Sequence, residues 1–360
     1  MRICYFGAFD ISYTRNNFIR RALELNDCHI TYCNVPQSWP TYKKVLPLIQ
    51  QYRKTWRDCD LIVVAEFCQT IVPLAWLLGQ ITGRPVIFDM VIGLYEASVL
   101  ERGRYPINSF ASRKLYYVDK IAGMLSTKVL TGTIAYKEYL VNEFGISPEK
   151  VQVTPLGVDN QLFFPKPKSE TNTGRFVILY HGSYIPNHGV ETIIKAAANL
   201  DGYPSFSFRL IGDGEGKANA MRLADQLGVE NIEFLSKVPF QQLSDHIADA
   251  DIVLGVFGDT SQARKAMANK VLEGLAMQKP VVTGDTISIR ENFKHMEHLW
   301  LVPLADASAL SESLILLSKD TKLMTRLAEV GYSRVIDRLI PIVVGKDLID
   351  NLHRIIDNEK

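Results

Sequence analysis

The sequence predicts an α/β protein of two tandem Rossmann-like domains, each built on a parallel sheet with helices on both faces. Three observations carry this. Short, fully apolar runs alternate with amphipathic helical patterns, the mark of strands buried on both faces. The alternation stops at the polar, twice proline-broken segment Phe164–Gly174 and then restarts. At 360 residues the chain also exceeds one ordinary hydrophobic core.

In the first half, Ile3–Phe6, Ile30–Cys33, Leu61–Val64, Val86–Phe88, Lys128–Leu130 and Val151–Val153 read as strands. Helical patterns such as Asn16–Leu25, Ile71–Leu78 and Ala135–Phe144 fit between them. After the break, Phe176–Tyr180, Ser207–Ile211, Ile232–Leu235, Ile252–Val256 and Pro280–Thr283 are strands. Val190–Asn199, Lys217–Leu227, Phe240–Ala248, Asn269–Met277 and Ala307–Leu317 are helices. The domains expected are 1–166 and 167–344. In the last segment, Leu348, Ile349, Leu352, Ile355 and Ile356 form one helical stripe. That helix, 345–360, either crosses back onto the first domain or packs locally.

Composition narrows the class. Forty Lys and Arg against 39 Asp and Glu give a net charge of +1, so nucleic acid is not an expected partner. The charge is uneven: through Lys166 there are 19 basic and 14 acidic residues, leaving 21 and 25 beyond it. Five cysteines, none in a two-residue spacing, read as reduced and mostly buried thiols. The chain opens on a strand without the pattern of an export signal, and the longest apolar stretch, Ile71–Leu78, is too short to span a bilayer. The expected location is cytoplasmic, with a peripheral place on the inner face of the membrane as an option. The basic first domain and the Ile71–Leu78 helix suit that contact, and burial of the helix in the core accounts for the same apolarity.

Three stretches in order carry a resemblance: Tyr180-His181-Gly182-Ser183-Tyr184-Ile185-Pro186-Asn187-His188-Gly189, Leu210-Ile211-Gly212-Asp213-Gly214, and Asn269-Lys270-Val271-Leu272-Glu273 running on through Pro280-Val281-Val282. With Phe6-Gly7 and Val153–Asp159 in the first half, they resemble the retaining, metal-independent glycosyltransferases of family 4. The resemblance implies the GT-B fold, two Rossmann-like domains whose parallel sheets face a central cleft. It also implies sugar transfer from a nucleotide-diphosphate donor to a saccharide or lipid-linked saccharide, with retention, no metal and no cofactor.

A carboxylate at a helix start can accept two hydrogen bonds from a vicinal diol, and the resemblance gives Glu273 the donor ribose. Asn269, Lys270 and Val271 would lie by the diphosphate, where helix amides and the Lys270 charge favour an anion. Alone, the segment also reads as an ordinary solvated helix start. Gly182 and Ser183 follow a strand directly, so their amides are candidates for a phosphate contact. The main chain around Lys237 and Val238 would edge the nucleotide base.

Two departures stand out. Where many relatives have an arginine and a lysine in the phosphate loop, this chain has Ser183 and His188. Where many have a glutamate eight positions before the ribose glutamate, it has Lys265. Arg264, Lys265, Lys270 and His188 are the candidate replacements for the lost positive charge. The alternative is a weakened donor site.

In the first half, Asp89 ends a strand, and open sheets gather ligands at such ends. It is the candidate catalytic group, accepting the acceptor's proton or stabilising charge at the anomeric carbon. Capping of the next turn is its structural alternative. Gly7, Arg15, Asn16 and Tyr95 are candidates for the acceptor side or cleft mouth, with Arg15 equally a surface charge. Rival readings are a non-catalytic sugar- or nucleotide-binding protein and a nucleotide-sugar epimerase. A dehydrogenase lacks its Gly-x-Gly-x-x-Gly.

Overall fold

The computed structural model describes residues 1–169, 174–203 and 205–358. Residues 170–173 of the expected linker, Pro204 and the last two residues of the expected C-terminal helix lie outside the described residues. The chain divides into two units, Met1–Gly157 with Leu339–Lys360, and Val158–Arg338.

Unit 1 alternates strands and helices: β1 (Arg2–Gly7), α1 (Thr14–Glu24), β2 (His29–Asn34), α2 (Thr41–Thr55), β3 (Leu61–Val64), α3 (Val72–Thr82), β4 (Val86–Asp89), α4 (Phe110–Leu125), β5 (Lys128–Thr131), α5 (Ile134–Phe144) and β6 (Val151–Val153). The six strands are parallel, in the order β2-β1-β3-β4-β5-β6. All four residues of β3 are buried, which is what an unbroken Leu-Ile-Val-Val run requires of a sheet covered on both faces. On α3, Val72, Ala75 and Leu78 face the core, so burial explains most of the Ile71–Leu78 apolarity. All five cysteines are free and buried.

Unit 2 runs β7 (Phe176–His181), α6 (Val190–Asn199), β8 (Phe206–Ile211), α7 (Lys217–Leu227), β9 (Ile232–Leu235), α8 (Phe240–Asp249), β10 (Ile252–Leu254), α9 (Ser261–Lys265), α10 (Asn269–Ala276), β11 (Val281–Gly284), α11 (Ile287–Arg290), β12 (Trp300–Val302), α12 (Ala307–Lys319) and α13 (Thr321–Arg338). Its parallel sheet has the order β9-β8-β7-β10-β11-β12. Counted from its own first strand, this is the doubly wound order that reverses direction between the first and fourth strands. Helix α14 (Pro341–Asn358) then returns to unit 1 and lies along α1. Val344, Leu348, Ile349, Leu352 and Ile355 join that unit's core. A Cβ at Gly345 would sit 2.2 Å from the Ala22 carbonyl oxygen, so the close approach of α14 needs glycine there.

The division falls at Gly157 and Val158, ahead of the expected 166, and the return begins at Leu339, ahead of the expected 345. Gly157 is pressed against Phe18 and the Leu339 carbonyl. Beyond it, Phe163 is buried and meets Phe240 edge-on, while Lys166 pairs with Asp245 at 2.7 Å and Lys168 with Asp251. The proline-rich segment is thus fastened to unit 2 over Lys166–Ser169.

Candidate functional site

In unit 2 the strand order reverses between β7 and β10, and an open parallel sheet takes its ligands beyond the carboxyl ends of its strands at such a point. β7 ends there in His181. The loop after it stacks backbone on backbone against the loop after β8: a Cβ at Gly212 would lie 1.9 Å from the Gly182 carbonyl oxygen, and one at Gly214 only 1.7 Å from that of Ser183. Lys217 ties the second loop down by donating to the carbonyls of Gly212 (2.8 Å) and Leu235 (2.9 Å) and to Asp213 (3.0 Å).

Helix α10 packs against β10 through Gly274, whose missing Cβ would come within 3.0 Å of Val253. Three residues apart, Lys270 and Glu273 share one face of that helix. Each side chain is only about 5% exposed. Among the described residues neither makes a hydrogen bond, and they form no ion pair with each other. Lys270 Nζ lies over the Tyr180 ring, 5.0 Å from its centroid, and His181 Nε2 lies 3.4 Å from Glu273 Oε2. Burial dominates all three ionisations. It pushes the Glu273 carboxyl up to about 7 against the pull of the Lys270 charge, and draws the Lys270 ammonium down to about 7 against that of Glu273. The His181 imidazole, lowered to about 3 by burial and then by Lys270, is neutral.

The other expected residues fall around this centre with different freedoms. Gly182 donates its N–H to the Ile211 carbonyl at 2.9 Å, so that amide is not open to a phosphate as expected; Ser183 beside it is exposed. His188 Nδ1 meets the Tyr180 hydroxyl at 2.8 Å. Lys237 gives its N–H to Asp213 Oδ2 at 2.8 Å, which removes that donor from the expected base contact, while Val238 is half-buried. Asn269 is half-buried at the first helical position and Val271 fully buried. Glu273 is the fifth residue of α10, one turn further in than the opening turn expected. Lys265, half-buried, ends α9.

In unit 1, Asp89 and Arg15 are held together. Arg15 Nε donates to Asp89 Oδ2 at 3.0 Å and a terminal nitrogen to Oδ1 at 2.9 Å, while the other terminal nitrogen caps the Pro155 carbonyl. Both side chains are buried. This corrects two expectations: Asp89 is not an open carboxylate at a strand end, and Arg15 is not a surface charge. Asn16 is also buried, accepting from the Tyr5 hydroxyl and donating to the Asp10 carbonyl. Gly7 is buried, and a Cβ there would meet Cys68 Sγ at 2.7 Å. Tyr95 packs edge-on against Tyr116 and donates its N–H to buried Asp119.

Sequence reasoning passed over Glu66 and gave His181 no role. Glu66, 2% exposed beyond β3 where the unit 1 order reverses, has an oxygen without a hydrogen-bond partner among the described residues. Burial, then the Asp89 charge, pushes its carboxyl up to about 8. A signal was available for His181, a polar residue closing an apolar strand just before the loop glycine. A lone glutamate after Leu61–Ala65 gives no comparable sign. Among the described residues no group of three or more His, Cys, Asp or Glu side chains could hold a metal ion, and no helix is long and apolar enough to cross a membrane.

The lipopolysaccharide core biosynthesis glycosyltransferase LpsE of Rhizobium meliloti is 28% identical over 169 residues, 47% of each chain. The chain spans about half the length of the first curated relatives it matches. Among solved structures, sucrose-phosphate synthase from Thermosynechococcus elongatus superposes with a TM-score of 0.77 at 15% identity, over 99% of this chain and 100% of that one. Anabaena HepE, solved in complex with UDP and glucose, gives 0.76 at 16% identity, over 98% and 100%. These likenesses show the fold, two Rossmann-like domains of the GT-B type. Residues 164–334, nearly all of unit 2, match the family described as glycosyl transferases group 1.

Proposed function

We propose that the protein is a glycosyltransferase that moves a sugar from a nucleotide-diphosphate sugar to a saccharide or lipid-linked saccharide, with retention at the anomeric carbon and without a metal. One observation carries the reading. The side chains of Lys270 and Glu273 are buried, chargeable and, among the described residues, without a hydrogen bond at the reversal point of the unit 2 sheet. Burying such groups unpaired is costly, and a ligand with an anionic part and a vicinal diol would satisfy both. A nucleoside diphosphate has both. Glu273 would take the ribose hydroxyls, and Lys270 with the first turn of α10 would balance the charge growing on the departing diphosphate. The UDP and glucose held by HepE, a protein of the same fold, support this choice of donor.

With Asp89 committed to Arg15, its part in this account is to fix the end of β4. Lys265, His188 and Ser183 are proposed to line the donor's phosphate side, and Gly7, Asn16 and Tyr95 to shape the acceptor side. The finer reading extends to an anionic membrane surface. Helix α4 exposes Phe110 (85%), Tyr117, Ile121 and Met124 beside Arg113 and Lys114, and its one acidic residue, Asp119, is buried. Such a face suits headgroups above and acyl chains below.

The test is turnover. Purified protein is incubated with UDP-, GDP-, ADP- and TDP-linked sugars, with and without saccharide and lipid-linked acceptors. Release of nucleoside diphosphate that depends on an acceptor is the expected result. Tight binding of a nucleotide sugar with no release under any acceptor would support the rival reading of a binding protein.

A further inference from the structure

We propose that His181 is the positioning residue of the unit 2 site, its Nε2–H holding one oxygen of Glu273 so that the other faces a donor ribose. The inference rests on the nucleotide-sugar reading above and adds a residue to it.

The geometry is specific. His181 is the last residue of β7, and its side chain is buried. Among the described residues its buried Nε2 has no hydrogen-bond partner, and it lies 3.4 Å from Glu273 Oε2, slightly beyond an ordinary hydrogen bond. No other described group donates to that carboxylate. The imidazole is neutral for the reasons given above, so it carries one N–H, and the facing carboxylate selects the Nε2–H tautomer.

The arrangement has a consequence for Lys270. Its ammonium rests over the Tyr180 ring instead of on Glu273, although the two share a helix face. With an apolar side chain at position 181, nothing would hold the carboxylate away from the ammonium. The two would close into an ion pair, and each would then compete with the ligand group it is meant to receive. His181 thus keeps the two recognition groups apart.

The test compares His181→Leu, which removes the donor, with His181→Gln, which keeps an N–H of similar reach. Affinities for UDP, GDP, uridine and guanosine are measured by calorimetry, wild type first. His181→Leu should weaken the nucleoside by about tenfold, because its loss lies at the ribose, and the diphosphate by at least as much, because Lys270 is then drawn to Glu273. His181→Gln should recover most of it. In the wild type, nitrogen NMR should show the Nε2–H tautomer at neutral pH, with a shift that moves in Glu273→Gln. Unchanged affinity in His181→Leu, a loss confined to the diphosphate, or an Nδ1–H tautomer would overturn the proposal. A wild type that binds none of the four probes, nor ADP or TDP, would instead remove the nucleotide-sugar reading, and this proposal with it, before any variant is compared.

Discussion

Arg15 holds Asp89 across 74 residues of sequence with two nitrogens of one guanidinium, inside the core of unit 1. A buried pair of this kind is costly to break from one side, because the remaining charge is left without a partner. Asp89→Asn should therefore destabilise unit 1 by about 3–5 kcal/mol. Urea unfolding would show this as a lowered midpoint. A variant with unchanged stability and reduced turnover would restore Asp89 to the chemistry.

The pair of groups at α10 predicts a pH dependence of binding. On the proposed reading a nucleoside diphosphate needs Glu273 without its proton and Lys270 with one, and both groups titrate at about 7 in the free protein. Affinity for UDP or GDP should fall as the pH drops below 7, where Glu273 takes up a proton. It should fall again as the pH rises above 7, where Lys270 loses one. Lys270→Arg should flatten the alkaline limb, because a guanidinium stays charged. Calorimetry between about pH 5.5 and 8.5 reads both limbs, and a level profile would count against the assignment.

Glu66 makes a prediction about stability. Its folded-state value of about 8 lies above its ordinary 4.5. The protonated carboxyl therefore contributes stability that is complete below pH 4.5 and lost as the pH climbs toward 8. Glu66→Gln cannot ionise and should escape that loss. Its melting temperature should match the wild type near pH 4.5 and exceed it at pH 8, by about 2–4 °C for each kcal/mol recovered. Parallel melting curves for the two proteins across this range would contradict the burial argument.

The stacked glycine loops admit no side chain. At Gly212 φ is +139°, and a Cβ would be driven into the Gly182 carbonyl. Gly212→Ala should displace the loop after β7, reducing both the melting temperature and nucleotide affinity. Retention of both would mean that the two loops are not packed as described.

The sheets were legible because runs such as Leu61–Val64 have no polar residue to confuse their direction of burial. β12 was not legible: Trp300–Val302 is three residues long and follows a turn-rich stretch. Helices α2 and α4 were not singled out either. Pro47 interrupts the first, and exposed Phe110, Tyr117, Ile121 and Met124 blur the apolar face of the second. At the site, motifs in fixed order marked Glu273 and Lys270 together, and the structure buries both on one face of α10. The Arg15–Asp89 pair could not be read in this way, since nothing local marks a partner 74 residues away, and the amides of Gly182 and Lys237 are taken by partners that only the folded chain brings close.

The central claim is that Glu273 receives the ribose of a nucleotide-sugar donor. Titration of wild type and Glu273→Ala with UDP-, GDP-, ADP- and TDP-sugars tests it most directly. A charged acceptor's hydrogen bonds contribute about 1.5–3 kcal/mol, so the variant should bind the preferred donor roughly ten- to a hundredfold more weakly while keeping the wild-type fold. Equal affinity in the two proteins, for a donor that the wild type binds, would contradict the account.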